Sequence, residues 1–226
     1  MKLFGQTNRI KILSLTAILF TTVAFTSCSK DDDEDVDAMA RVKVVNAVNG
    51  SSNVNLYLDD VSLDGSAVAY GESSGYLATK EGDRNVKFKT GNEVKTDFDV
   101  TLKAGKYYTL YYTGTTNSSS NFVTEDDMTP PPSGKARVRF VHASSAASNI
   151  DVAVLNATSK LVTDLSYKAA SAYETVDANT SFVLTATGSA SAGLTMPTEI
   201  QAGKIYTIYI SGSSNATLSY HVIAQN

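Results

Sequence analysis

The chain has no tryptophan, one cysteine, two histidines and four prolines in 226 residues. A single thiol, Cys28, excludes an intramolecular disulfide, so the folded part must hold by packing. The histidines, His142 and His221, lie far apart in the chain, and neither has a second histidine at zinc-ligand spacing. No EF-hand calcium loop is present, and no cofactor or metal is expected. Positive charge is scarce too. Lys and Arg total 19 against 23 Asp and Glu, a net charge of −4, and no basic stripe marks a nucleic-acid partner. What the chain does have is Gly, Ser, Thr and Asn in abundance, with 12 tyrosines. That balance suits short strands and frequent turns.

One stretch is used twice. Ala40-Arg-Val-Lys-Val-Val-Asn-Ala47 returns as Ala136-Arg-Val-Arg-Phe-Val-His-Ala143. Ser52-Asn-Val-Asn-Leu56 returns as Ser148-Asn-Ile-Asp-Val152, and Ala104-Gly-Lys-Tyr-Tyr-Thr as Ala202-Gly-Lys-Ile-Tyr-Thr. A repeat of this length is a whole small domain, large enough to bury its own core. Alternation sets the strand faces: Val42 and Val44 in, Arg41 and Lys43 out; Val138 and Phe140 in, Arg137 and Arg139 out. About seven short strands per half, punctuated by turns such as Asn49-Gly50, predict an all-β chain. The expected architecture is two tandem antiparallel β-sandwich domains of immunoglobulin-like, Greek-key type, at 40–128 and 135–226. A proline-rich linker at 129–134 is expected to keep them apart.

The N-terminus reads as an address. Lys2, Arg9 and Lys11 precede an apolar run from Ile12 to Phe25, shorter than a membrane span of roughly 20 residues and suited to a secretory signal. The run ends in Phe25-Thr-Ser-Cys28, which resembles a bacterial lipobox, with Phe25 where Leu is usual. The resemblance implies a lipoprotein signal peptide at 1–27 and a lipid on Cys28. Residues 28–39 form an acidic tether, and the run Asp31-Asp-Asp-Glu-Asp35 resembles the surface-export signal of Bacteroidota-type lipoproteins. The expected location is the outer membrane, at the cell surface; a periplasm-facing anchor is the alternative.

Tyrosines carry the candidate roles. Tyr108 and Tyr206 follow a glycine turn and open an apolar strand, the arrangement of a tyrosine corner. Tyr107 and Tyr111, with Tyr209 in the second half, fall on the opposite strand face. An outward face would make these three a stacking surface for sugar rings or a protein. Tyr76 and Tyr173 read as packing residues, and His142 as a strand-end residue bonded to the following loop. His221 falls on a face that alternation suggests is exposed. Asp97 with Asp99, and Asp126 with Asp127, are the carboxylate pairs.

Taken together, Ala136–Ser144, Asn149-Ile-Asp-Val152 and Ala202-Gly-Lys-x-Tyr-Thr207 resemble the DUF4397 family, domains of unknown function common in exported bacterial proteins. The first half fits less sharply, with Asn46 for the motif's His and Asn55 for its Asp. The resemblance implies an exported β-sandwich module and no catalytic residues. The expected function is therefore a non-enzymatic binding or adhesion module, for glycans or an envelope protein. The alternative is a structural or accessory subunit of an envelope complex, and an envelope hydrolase is the weakest reading. Substituting Cys28→Ala is expected to move the protein from the membrane to the soluble fraction; an unchanged partition in detergent-free fractionation would remove the lipid anchor.

Overall fold

The computed structural model describes residues 39–189, 193–214 and 217–226; Cys28, the apolar run and the acidic run lie outside them. The first half supplies strands β1 (Met39–Asn46), β2 (Asn55–Leu58), β3 (Val61–Ser62), β4 (Leu77–Lys80), β5 (Gly82–Thr90), β6 (Glu93–Leu102), β7 (Tyr107–Gly114) and β8 (Ser119–Asp126). The second supplies β9 (Lys135–His142), β10 (Ile150–Val154), β11 (Lys160–Leu165), β12 (Glu174–Asp177), β13 (Phe182–Ala186), β14 (Leu194–Met196), β15 (Ile205–Ser211) and β16 (Ser219–Ala224). They form two β-sandwiches. In the first, sheet β4-β1-β7-β8 faces sheet β3-β2-β5-β6; in the second, β12-β9-β15-β16 faces β11-β10-β13-β14.

The expectation of purely antiparallel sheets needs one correction. β1 pairs with β7 in parallel, and β9 with β15 likewise. Each opening strand inserts between a strand it meets antiparallel and the last-but-one strand of its sandwich. The connection between the parallel partners passes through the opposite sheet, as parallel pairing requires.

Alternation fills each core. Val42, Val44, Leu56, Val86, Phe88, Leu110 and Tyr112 pack in the first, and Val138, Phe140, Val152, Phe182, Leu184, Ile208 and Ile210 in the second. The glycine turns ahead of β7 and β15 are fixed by tyrosine hydroxyls. Tyr108 Oη accepts from the Lys103 N–H at 3.1 Å, and Tyr206 Oη from the Gln201 N–H at 3.1 Å.

The outward faces of β1–β7 and β9–β15 do not meet solvent. They meet each other. Val45, Ala47, Tyr111, Val141, Ala143, Tyr209 and Ile223 form a third buried cluster between the sandwiches. The proline segment therefore does not hold the halves apart; Arg137 ties it down, donating to Thr129 O and to Asp127.

This contact is reciprocal. Arg139 reaches from β9 to Asp126 at the end of β8, and its counterpart Lys43 reaches from β1 to Gln225 just past β16. Tyr111 stacks on Phe122 and Tyr209 on His221, and the two tyrosines meet edge to face at 6.2 Å. Thr113 Oγ1 meets Tyr167 Oη at 3.4 Å, and Ser211 Oγ meets Tyr70 Oη at 3.0 Å. Each pair maps onto the other under exchange of the halves, as in an isologous dimer interface written into one chain.

Arg139 and Asp126 are almost entirely buried, with side chains 2% and 0% exposed. Arg139→Ala would leave the Asp126 carboxylate buried without its cation, a loss of about 3–5 kcal/mol. Urea unfolding is expected to show that loss. The double variant Arg139→Met/Asp126→Leu should recover most of it, and equal instability of the two variants would count against a buried pair.

Candidate functional site

Two of the three candidate binding tyrosines are removed from solvent. Tyr111 and Tyr209 are both 0% exposed, because the face that carries them is the contact between sandwiches. Their hydroxyls make no hydrogen bond in the protein, and burial pushes the Tyr111 phenol well above its usual range. The reading of these two residues as an outward stacking surface is thus corrected by the packing. His221 is corrected for the same reason. It lies half-buried between the sandwiches, stacked on Tyr209 at 4.7 Å, and not on an exposed face.

Tyr107 is placed differently. It is half-buried and lines an open groove of about 370 Å³ with Lys106, Glu125, Asp127, Met128 and Thr129. Its ring meets the edge of Tyr76 at 4.9 Å, and the Arg41 guanidinium lies 5.3 Å from its centre. The charged groups of this groove are already paired: Lys106 with Glu125 at 2.7 Å, and Asp127 with Arg137 at 2.7 Å. Arg137 and Thr129 hold the Asp127 carboxyl well below the usual carboxylate range.

Behind the groove lies a polar cluster that single-strand alternation does not reveal. Asp126 Oδ2 accepts from Thr109 at 2.5 Å and Tyr76 at 2.6 Å; Oδ1 accepts from Thr124 and Arg139. Burial, then the Asp126 charge, raises the Tyr76 phenol far above its usual range, so it remains a donor. Lys43 donates to Gln225 Oε1 at 3.0 Å and Ala224 O at 3.3 Å. Burial brings its pKa down to about 8, with Asp126 opposing that fall and Arg139 adding to it. These groups bond one another and carry the sandwich contact.

The remaining candidates resolve as structure. Asp97 and Asp99 both accept from Asn85 Nδ2, at 2.7 and 3.0 Å, on an exposed sheet face. Among the described residues no group of three or more His, Cys, Asp or Glu is arranged to hold a metal. Residues 71–75 spell Gly-Glu-Ser-Ser-Gly, the spacing of a serine-hydrolase elbow. Its Ser73 forms a β-bridge with Val45 instead of sitting on a strand-to-helix turn. Nearby, Ser211 Oγ lies 2.9 Å from His221 Nε2, but Ser211 is fully buried. That pair holds the sandwiches together through Tyr70, which also bonds Ser211 and Ser219.

A second cavity, of about 160 Å³, opens at the other end of the first sandwich. Gly50, Ser51, Ser52, Thr90, Lys95, Tyr112 and Thr116 line it. Strand direction sets the two ends apart. The start of β1 and the ends of β8 and β16 share one end with the Tyr107 groove, as the Arg139–Asp126 and Lys43–Gln225 bonds require. The opposite end carries connections 47–54, 91–92, 115–118, 143–149, 187–189 and 212–214, none with a charged residue, beside Glu72 and Lys168, whose backbones bond Asn46 and His142 at the ends of β1 and β9.

The family of domains of unknown function DUF4397 matches residues 40–153, half of the chain. The chain belongs to the DUF4397 family. The match runs through the first sandwich and stops in β10. It thus falls mainly on the half whose motif resemblance is less sharp. No curated protein matches the chain. Among solved structures, the carbohydrate-binding module CBMbc (family CBM26) from Eubacterium rectale Amy13K, in complex with maltoheptaose, is 10% identical. It covers 81% of this chain and 96% of its own, with a TM-score of 0.27, a likeness that carries no argument.

Within this DUF4397 chain the repeat explains its own variation at the motif histidine. His142 Nε2 meets Ser148 O at 3.0 Å, and Nδ1 accepts from the Ser144 N–H at 3.4 Å. Asn46 meets the same two needs, donating to Ser52 O and accepting from the Val48 N–H. Neutral imidazole is the form that fits, and burial lowers the pKa of His142 below 6.5. Between that lowered value and 6.5 the unfolded chain takes up a proton and the folded chain does not, so stability falls as pH drops through this window. His142→Asn is expected to keep the fold and flatten that dependence, whereas His142→Ala should cost about 1–3 kcal/mol. Unfolding midpoints at pH 5 and pH 8 check both; a wild-type midpoint that does not fall at the lower pH would refute the linkage.

Proposed function

We propose that the protein is a non-enzymatic binding module of the cell envelope, held by a lipid on Cys28 at the outer surface, that presents the hydroxyl-rich end opposite the start of β1 to glycans. The observation that carries this reading is the common direction of the two sandwiches. The chain enters β1 at one end, and most connections there carry charge, with Asp59, Asp60, Glu81, Lys103, Lys106, Asp127 and Lys204, whereas 155–159 and 178–181 carry none. A tether leading to the membrane leaves from there. The opposite end offers Ser, Thr, Asn and Gly, with Glu72 and Lys168 beside them.

Hydroxyls and amides without fixed charge match a neutral polyhydroxyl ligand, because each supplies both donor and acceptor at small desolvation cost. The Tyr107 groove sits at the tethered end with its ions internally paired, which argues against it as the presenting site.

A second reading, a structural or accessory subunit, is favoured by the reciprocal contact that fixes the two sandwiches as one body. Intact cells displaying the protein are expected to retain an uncharged polysaccharide that cells carrying Cys28→Ala do not. If no polysaccharide in a broad panel is retained, and crosslinking in cells instead recovers one recurrent protein, the accessory role replaces the glycan role.

A further inference from the structure

We infer that the cavity over Tyr112 is a binding site for one uncharged sugar residue, such as the end of a neutral oligosaccharide. This rests on the binding-module reading and gives it a place. Tyr112 leaves β7 on the inward face and packs on Phe88 at 5.6 Å. Only 1% of it is exposed, and it stands in the wall of the cavity. A phenol in the wall of a cavity offers a hydroxyl that a ligand entering it can bond.

The rim supplies what a sugar would use. Ser52, Thr90 and Thr116 bring side-chain hydroxyls with no partner in the protein, and Ser51 is held in place by Asn46 through bonds of 3.0 and 3.1 Å. A volume of about 160 Å³ admits one ring and not a chain. The cation at the rim, Lys95, is neutralised by Glu93 at 2.7 Å, and no charged residue lies in connections 47–54, 91–92 or 115–118. A carboxylated sugar would gain little there, and its binding would cost desolvation. In the second sandwich Ile210 stands where Tyr112 does, so the polar floor belongs to the first sandwich alone.

The test uses the soluble body, residues 29–226 with Cys28 removed, and a panel of gluco-, galacto- and manno-oligosaccharides beside oligogalacturonate. Amide chemical-shift mapping by NMR is expected to place a neutral oligosaccharide on residues 50–52, 90 and 116. Thr116→Trp, at an exposed rim position, should weaken it about tenfold or more with an unchanged unfolding midpoint, as should Tyr112→Phe by loss of one hydrogen bond. Binding that shifts other amides and survives Thr116→Trp would overturn this site while leaving the binding module standing. Preference for oligogalacturonate would overturn the neutral class. No binding by the wild type to any member would overturn both the site and the module.

Discussion

The contact between the sandwiches is the constraint on which the rest depends. Two sheet faces that each carry a long cation, a tyrosine and a valine are unsuited to water and ill-suited to a simple apolar core. They are suited to each other. Each cation crosses to the end of the other sandwich's last strand, and each tyrosine stacks on an aromatic of its own neighbouring strand. Arg139 makes the stronger half. Its fork meets Asp126, Thr124, Thr207 and the Glu125 carbonyl, so the buried charge is surrounded by acceptors. Burial of this kind fixes geometry more than it adds stability, since a well-packed apolar substitute would often serve as well.

The two halves are not equal at this contact, and the difference has a physical consequence. Where the first half ends on Asp126, the second has Gln225. Lys43 therefore faces a neutral amide and a carbonyl, and its pKa falls to about 8 under burial. Two carboxylates would have balanced two cations. One carboxylate placed beside the arginine gives the guanidinium its planar match and leaves the lysine with the weaker partner. The repeat supplies the symmetry, and the difference between Asp126 and Gln225 places the ion pair on one side.

Much of the fold was legible because the chain repeats itself and alternates. The inward residues of β1, β2, β9 and β10 follow from period two, and the tyrosines of the Ala-Gly-Lys turns from one motif read twice. What period two cannot say is what lies beyond the outward face. Tyr111, Tyr209 and His221 were placed on the correct face and given the wrong neighbour, because the neighbour is the other copy of the repeat. The same limit hid Arg139 and Asp126. Arg139 reads as an outward charge and Asp126 as one of a carboxylate pair, and only the reciprocal contact turns them into a buried pair. The parallel pairing of β1 with β7 also escaped, since strand order is set by which sheet each segment joins and leaves no mark in the local pattern.

That contact also limits where function can reside. With both inner sheets facing one another, the outer sheets and the two ends remain. The outer face of the first sandwich is a lattice of short-range pairs, Lys87 with Asp60, Arg84 with Asp59, and Asn85 with Asp97 and Asp99, each side chain already engaged. A ligand there would have to break those pairs for contacts of similar strength in water, with little net gain. Ends differ because loops leave backbone and hydroxyl groups without obligatory partners. Of the two, the end where β1 begins has its ions internally paired, and the other is richer in hydroxyl and amide groups. The inward tyrosine of β7 lines the cavity at that end of the first sandwich, and isoleucine stands at the matching position of the second. The two copies of the core thus differ at that position by a polar side chain in one and an apolar side chain in the other.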